Sequence, residues 1–179
     1  MGKYRTIVAD PPWAYKDGPW GKNSLAPGRA FLPYGVMESA EIAALPVKEM
    51  AETDAHLYMW TTQRFVTDSF DIARAWGFKP VCLLVWCKPP MPALPGTWKS
   101  TVEFVLFARR GSLKALSTIE KQWFEWPRGK HSAKPDAFLD LVEQVSPAPR
   151  LEMFARRARF GWDYWGNESL GTASMEAAV

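Results

Sequence analysis

Short apolar runs alternate with amphipathic stretches along most of this 179-residue sequence. The runs are rich in β-branched and aromatic residues, which predicts strands. They lie at residues 6–9, 56–61, 80–86, 102–108 and 150–154, with a last strand or loop at 163–166. Predicted helices lie between them at residues 37–42, 64–76 and 135–145. Strands that alternate with helices predict an α/β fold with a mostly parallel sheet, whose ligands bind at the carboxyl ends of the strands.

Three stretches without helical or strand periodicity are predicted to be loops. Residues 14–33 are rich in Gly, Pro, Lys and Asn, residues 89–96 are proline-rich, and residues 119–131 are polar and aromatic. Basic and aromatic side chains are interleaved on these loops, which would suit a phosphate backbone and an unstacked base. Ordinary solvated loops would have the same composition, so both interpretations remain open.

The bulk composition limits the classes of function. A net charge of +3 permits a polyanionic partner without requiring one. The two cysteines, Cys82 and Cys87, share one apolar stretch and are expected to be free thiols in a reducing compartment. Only two histidines and no clustered cysteine pairs are present, so we predict no metal site. No apolar run approaches the ~18 residues of a membrane span, and the N-terminus does not resemble a signal peptide, so we expect a cytoplasmic protein.

The sequence Asp10-Pro11-Pro12-Trp13 follows the first predicted strand directly. Two prolines stop a strand and hold a rigid, extended exit. An exocyclic amine on a base is a poor nucleophile because its lone pair is delocalised into the ring. A carboxylate from Asp10 and a carbonyl from Pro11, both accepting its N–H bonds, would free that lone pair, and Trp13 could offer a face to the purine. A strand-ending turn capped by Asp10 is the simpler alternative.

The match to one family extends beyond these four residues. The chain resembles the DPPW-type N6-adenine methyltransferases, which include messenger-RNA adenosine methyltransferases and bacterial or phage DNA adenine methyltransferases. Besides the motif at residues 10–13, the resemblance is carried, in family order, by Leu32-Pro33-Tyr34-Gly35-Val36-Met37, Leu57-Tyr58-Met59-Trp60, Val85-Trp86-Cys87-Lys88, Glu103-Phe104-Val105-Leu106, Ser132-Ala133-Lys134-Pro135, Leu151-Glu152-Met153-Phe154-Ala155-Arg156 and Gly166-Asn167-Glu168. Because the catalytic motif comes first and the cofactor strand last, the resemblance implies a permuted Rossmann-like methyltransferase fold.

The resemblance also implies an S-adenosyl-L-methionine cofactor and assigns its contacts. Lys134, at a helix start that suits a carboxylate, would hold the methionine carboxylate. Arg156, Asn167 and Glu168 would bind the ribose and nearby groups, and Asp10 could also meet the cofactor's ammonium. The family adenine-ring contacts are not assigned, because residues 157–159 depart from the eukaryotic pattern.

The expected catalytic residues are Asp10, Pro11, Pro12 and Trp13. Tyr34, Trp60 and Lys88 are the expected substrate-binding residues: Tyr34 matches a family segment that lines the active site, and the other two lie at strand ends. Trp60, like Trp86, is nevertheless expected to belong to the core. We predict a single methyltransferase domain at residues 1–168 and a flexible tail at 169–179.

The predicted activity is methylation of the N6 amine of adenine in nucleic acid, in a bacterial or phage-encoded enzyme. DNA is favoured over RNA because the chain is compact and has no separate recognition domain, so specificity could depend on its loops or on a homodimer. Cytosine N4 is the alternative amine. A nucleic-acid-binding partner subunit without catalytic activity is the alternative class, although Asp10 and Trp13 are both retained. A methyltransferase that acts on a small molecule or a protein is the third alternative.

Overall fold

The structure is a computed structural model that describes residues 3–15, 35–89, 98, 100–129 and 133–165. The predicted loop at 14–33, the predicted loop at 89–96 and the predicted tail lie mostly or wholly outside the described residues.

Seven strands within the described residues form one sheet. They are Tyr4–Ala9 (β1), Ala51–Thr61 (β2), Lys79–Cys87 (β3), Val102–Arg110 (β4), Trp123–Glu125 (β5), Arg150–Met153 (β6) and Asp163–Trp165 (β7). Their order across the sheet is β5-β3-β4-β2-β1-β6-β7. β4 is antiparallel to both of its neighbours, and every other neighbouring pair is parallel. The predicted α/β fold with a mostly parallel sheet is therefore confirmed.

Four α-helices and one 3-10 turn accompany the sheet in the described residues. They are Ser39–Ala43 (α1), Val47–Met50 (α2), the 3-10 turn Gln63–Phe65, Val66–Ala75 (α3) and Asp136–Val145 (α4). α3 stops where Gly77 adopts a φ of +81°, a conformation that glycine takes without strain. Pro135 is the residue before the first turn of α4 rather than a member of that turn. The short helix α2 was not predicted.

The helices cover the two faces of the sheet unequally. On one face α1 and α3 pack on residues such as Ile7, Leu57 and Leu106, which are fully buried. On the other face α4 places Phe138, Leu139 and Val142 against Val8, Tyr58 and Trp60. Burial of each such side chain contributes roughly 1.5–3 kcal/mol. Each central strand therefore contributes side chains to a core on each face of the sheet, which explains the nearly continuous apolar runs in the sequence.

Two expectations at the β3 side of the sheet were wrong. β3 was predicted to be buried, but most of its residues are half-buried, and Val81 is 47% exposed. The cause is its position near the sheet margin, where its outer neighbour β5 is only three residues long. β5 itself lies inside the segment predicted to be irregular. It forms by parallel pairing with Val85–Cys87 of β3, a long-range contact that leaves no periodicity in its own sequence.

The two neighbours of β1 determine where the sheet can bind a ligand. β1 pairs with β2 on one side and with β6 on the other, all three strands running in the same direction. The chain thus leaves β1 toward β2 and returns to its other side, which creates a topological switch point at the carboxyl end of β1. None of the helices in the described ranges is both long and apolar enough to cross a membrane.

Candidate functional site

Asp10 stands at the switch point, one residue beyond the end of β1. Its backbone N–H points to the carbonyl of Met153, the last residue of β6, with an N–O distance of 3.4 Å. Its side chain keeps 24% of its surface exposed, although Val8 and Ala9 just before it are buried. The carboxylate therefore leaves the core at the edge where α/β sheets bind ligands.

Four charged side chains meet at this edge, and we name Asp10, Lys88, Glu103 and Lys134 the charged cluster. Lys134 Nζ lies 2.8 Å from Asp10 Oδ1 and 3.5 Å from Glu103 Oε2. Lys88 Nζ lies 2.7 Å from Glu103 Oε1. The side chains keep between 10% and 24% of their surface exposed, so the cluster is mostly shielded but open on one side. Two carboxylates alternate with two ammonium groups, and each carboxylate has a cationic partner.

The charges in the cluster favour the ionised forms of Lys134 and Glu103. Burial works to lower the pKa of Lys134, but the carboxylates of Asp10 and Glu103 outweigh it, and the pKa is raised. Burial likewise works to raise the pKa of Glu103, but Lys134 and Lys88 outweigh it, and the pKa is lowered. Both shifts favour the charged forms at neutral pH.

Two buried indole rings lie beneath the two lysines. Lys134 Nζ is 5.2 Å from the centre of the Trp60 ring, and Lys88 Nζ is 5.6 Å from the centre of the Trp86 ring. Trp60 and Trp86 are 2% and 4% exposed, which agrees with their expected place in the core. Such contacts stabilise a cation by roughly 0.5–2 kcal/mol. The two indole rings therefore stabilise the positive charges of Lys88 and Lys134.

The backbone of the proline motif is tied down on both sides. Trp13 N–H donates to the Pro11 carbonyl at 2.9 Å, and Met37 N–H donates to the Pro12 carbonyl at 2.8 Å. The indole N–H of Trp13 donates to the Trp60 carbonyl at 3.2 Å. A carbonyl has two lone pairs, so Pro11 can still accept a second hydrogen bond. The motif is thus held in one conformation before any ligand binds.

The side chain of Trp13 is more deeply buried than the predicted contact with a purine would suggest. It is 7% exposed, and its ring stacks on Phe65 with centroids 5.0 Å apart and planes 13° from parallel. In this arrangement Trp13 anchors the motif to the start of α3. Its role toward the base stays a prediction.

Two residues of β6 and the turn after it face the charged cluster from the other side of β1. Burial raises the pKa of Glu152 to about 7, the nearby Asp10 carboxylate adds to the rise, and Arg159 opposes it. Arg156 lies near enough to Lys134 to oppose the rise in its pKa. Glu152 lies at the carboxyl end of β6 and Arg156 just after it, where the resemblance expects the cofactor.

The predicted site residues divide into those brought together and those outside the described residues. Asp10, Lys88, Trp60, Lys134 and Arg156 converge on one edge of the sheet. Tyr34, Asn167 and Glu168 lie outside the described residues.

Glu103 is a member of the charged cluster that the sequence did not single out. It is the second residue of β4 and reaches this edge because β4 runs antiparallel to the other strands. An acidic residue at the start of an apolar strand was the available signal, but strand direction could not be inferred from periodicity.

Comparisons with known proteins identify the family of this chain. The sequence model of the family described as MT-A70 matches residues 4–168. The type II methyltransferase M.MunI of Mycoplasma sp is 32% identical over 183 residues, covering 93% of this chain and 78% of that protein. A probable N(6)-adenosine-methyltransferase MT-A70-like protein of Oryza sativa subsp. japonica is 28% identical, covering 100% of this chain and 25% of that protein.

The N(6)-adenosine-methyltransferase catalytic subunit METTL3 of Homo sapiens is 24% identical, covering 100% of this chain and 30% of that protein. This chain therefore spans about three quarters of the Mycoplasma relative and about a quarter to a third of the rice and human relatives. The family match includes every member of the charged cluster. The chain belongs to the MT-A70 family.

Proposed function

We propose that this protein transfers a methyl group from S-adenosyl-L-methionine to the exocyclic N6 amine of adenine in nucleic acid, with DNA as the favoured substrate. The observation that carries the proposal is the Asp10 carboxylate, partly exposed at the switch point and paired with Lys134 beside a tethered proline backbone. The relatives named as type II methyltransferase and as N(6)-adenosine methyltransferases support the reaction class.

The proposed chemistry rests on orientation of the amine. The Asp10 carboxylate accepts one N–H of the amine, and the Pro11 carbonyl accepts the other with its second lone pair. These bonds draw the nitrogen toward a tetrahedral shape and direct its lone pair away from the ring. Because the motif is already held by Trp13 and Met37, little reorganisation accompanies the reaction. When the new N–C bond forms, the bond between the methyl group and sulfur would break and leave a neutral thioether. The amine nitrogen loses a proton, and Asp10 is the acceptor placed to receive it.

The residues at the start of α4 fit the amino-acid end of the cofactor. The ammonium of Lys134 and the N–H groups of the first turn of a helix both suit a carboxylate. The carboxylates of Asp10 and Glu103 suit an ammonium. S-adenosyl-L-methionine, when bound, supplies an electrophilic methyl group on its sulfonium. We propose that Lys134 and Arg156 bind this cofactor, together with Asn167 and Glu168 as the resemblance implies.

DNA is favoured over RNA because of the coverage of the relatives. The chain covers 78% of the type II methyltransferase but only 25% and 30% of the rice and human adenosine methyltransferases. N6-adenosine methylation of RNA is the second candidate, and the adenosine-methyltransferase relatives favour it. A duplex substrate would require the adenine to be flipped out of the stack, at a few kcal/mol.

The test identifies the methylated nucleoside and its dependence on Asp10. Unmethylated DNA and RNA are treated with the protein and cofactor, digested to nucleosides and analysed by mass spectrometry. We expect N6-methyldeoxyadenosine, and Asp10→Asn should lower the rate at least about 1000-fold, because the neutral amide is a far weaker acceptor.

The control is Asp71→Asn, which neutralises an exposed carboxylate on α3 that pairs with Arg74. It should retain the wild-type rate. Methylated cytosine as the product, or an unchanged rate in folded Asp10→Asn, would refute the proposed function. Methylated adenosine in RNA alone would replace the favoured substrate with the second candidate.

A further inference from the structure

A cavity of about 410 Å³ opens beside the charged cluster at the start of α4. One wall is the segment after β5, from Trp126 to Gly129, and the opposite wall is the lead-in and first turn of α4 together with Arg157. Lys134 belongs both to this wall and to the charged cluster. The cavity is therefore next to the carboxylate that we propose to orient the target amine.

The wall formed by residues 126–129 is fixed in place by the rest of the fold. The Trp126 carbonyl accepts a hydrogen bond from the Trp86 indole at 3.0 Å, and the Trp126 ring stacks on Phe124 with planes 3° from parallel. An added Cβ at Gly129 would lie 3.0 Å from the Cβ of Ala133. Glycine thus permits this segment to approach residues 133–135, just before α4, closely.

Arg128 in this wall has a guanidinium nitrogen without a partner. Its Nε donates to the Pro89 carbonyl at 3.1 Å, which fixes the base of the guanidinium group. Its second terminal nitrogen is buried, yet it has no hydrogen-bond partner among the described residues. Buried donors are nearly always paired in folded proteins, so this nitrogen, in a residue that lines the cavity, is a donor available for an acceptor that the described residues do not supply.

The other charges around the cavity already have partners. Lys134 is engaged by Asp10 and Glu103, and Arg157 pairs with Asp136. No carboxylate in the described part of the chain lies within ion-pair distance of Arg128. An anion with several acceptor oxygens matches this environment.

We propose that Arg128 binds a backbone phosphate of the nucleic-acid substrate next to the target adenine, an inference that rests on the proposed function. The planar guanidinium group offers parallel N–H donors that match a phosphate in two-point contact. A phosphate in the cavity places the nucleic-acid strand directly beside Asp10. Arg128 thereby positions the nucleic-acid strand, while Asp10 and Pro11 orient the amine of the base.

The test compares the affinities for nucleic acid and cofactor in Arg128→Gln. Binding of a fluorescent oligonucleotide containing the methylated site is followed by anisotropy over a range of salt concentrations. We expect Arg128→Gln to weaken binding about tenfold and to lower the slope of log Kd against log salt by about one. Its Kd for S-adenosyl-L-methionine should stay at the wild-type value. Arg128→Lys keeps the charge without the planar fork and should fall between the two.

A matched control and a modified substrate make the outcome decisive. Lys114→Gln removes the same charge from an exposed residue beyond the end of β4, at the opposite edge of the sheet, and should bind like the wild type. Oligonucleotides with a neutral methylphosphonate at single positions around the adenine should bind the wild type about tenfold more weakly at one position. Arg128→Gln should not distinguish that position from the others.

Three results would overturn the inference while the wild type remains an active methyltransferase. They are an Arg128→Gln variant that binds nucleic acid like Lys114→Gln, a loss confined to the affinity for S-adenosyl-L-methionine, and a wild type indifferent to every methylphosphonate position. The methylphosphonate scan on the wild type decides the matter even if Arg128→Gln fails to fold. A wild type that methylates no nucleic acid would instead refute the proposed function.

Discussion

The two ends of α4 meet two polar networks of opposite character. Before its first turn, Lys134 joins the charged cluster, whose side chains keep 10% to 24% of their surface exposed. Just after its last turn, Ser146 joins His56 and Tyr58, which are 0% and 3% exposed. A helix of this length spans about 15 Å, so the two networks share one core yet lie at different edges of the sheet.

The fully buried network is neutral, and its hydrogen bonds have a defined direction. His56 Nε2 lies 3.2 Å from the Leu113 carbonyl, which can only accept, so Nε2 carries the proton. His56 Nδ1 is then the acceptor for the Ser146 hydroxyl at 2.7 Å, and Ser146 accepts from Tyr58 at 2.8 Å. Burial lowers the pKa of His56 and raises that of Tyr58 to about 12, so both side chains stay uncharged.

The difference shows what separates a structural network from a reactive one in this fold. In the neutral network of His56, Tyr58 and Ser146, every donor has an acceptor and no charge is carried. Where one side remains open, four charges persist because each has a partner of opposite sign. A charged network can exchange its internal partners for those of a ligand, which the neutral network cannot do without loss of stability.

Among the variants that distinguish the two networks, Lys134→Ala should have the largest effect, on methyl transfer and on cofactor affinity. It removes the cation shared by Asp10 and Glu103 and leaves two carboxylates near each other. We expect methyl transfer to fall about 100-fold to 1000-fold and the Kd for S-adenosyl-L-methionine, measured by calorimetry, to rise at least about tenfold. Because Lys134 lowers the pKa of Glu103, the acidic limb of the pH–rate profile should also move to higher pH.

The matched control for this prediction is Lys114→Ala at the opposite edge of the sheet. It should alter neither the Kd for the cofactor nor the pH–rate profile. An unchanged affinity in folded Lys134→Ala would remove Lys134 from the proposed cofactor site.

Glu152→Gln should have the next largest effect, here on stability. Glu152 lies near the charged cluster, and its pKa is raised. Its pKa rises from 4.5 to about 7 on folding, so the folded protein loses stability as pH increases through this interval. The glutamine variant has no such ionisation. We expect it to be more stable than the wild type by about 2 kcal/mol at pH ~8 and nearly equal at pH ~4, measured by urea denaturation.

Glu49→Gln supplies the control, since Glu49 is an exposed glutamate on α2. It should change the free energy of unfolding by a similar small amount at both pH values. A pH-independent effect of Glu152→Gln would mean that Glu152 is not destabilised by the charge of Asp10 and its own burial.

The sequence predicted the strands around the site well, because the period of the apolar pattern reports local structure. β1, β4 and β6 were placed within two residues, the start of β2 was placed five residues late, and the motif at the end of β1 identified Asp10. Lys88 and Lys134 could be named because one follows a strand and the other precedes a helix. All three are in the charged cluster.

What the sequence did not predict depends on long-range pairing. Glu103 required knowledge that β4 is antiparallel, and β5 forms only by pairing with β3. The partners of His56 were equally hidden, since Ser146 is 90 residues away in the chain. A polar residue in an apolar strand can be solvated, paired or catalytic, and only its neighbours in space distinguish these cases.

Ser146→Ala should have the smallest effect and affects stability alone. It deprives His56 Nδ1 and Tyr58 of their shared partner, and we expect a loss of about 1.5 kcal/mol in the free energy of unfolding by urea denaturation. Ser117→Ala is the control, because its hydroxyl bonds the Gln144 carbonyl at an exposed position and should cost well under 1 kcal/mol. Methyl transfer by folded Ser146→Ala should equal that of the wild type. If it fell as far as in Lys134→Ala, the two ends of α4 would not be independent, and the neutral network would have to be counted among the groups that position the charged cluster.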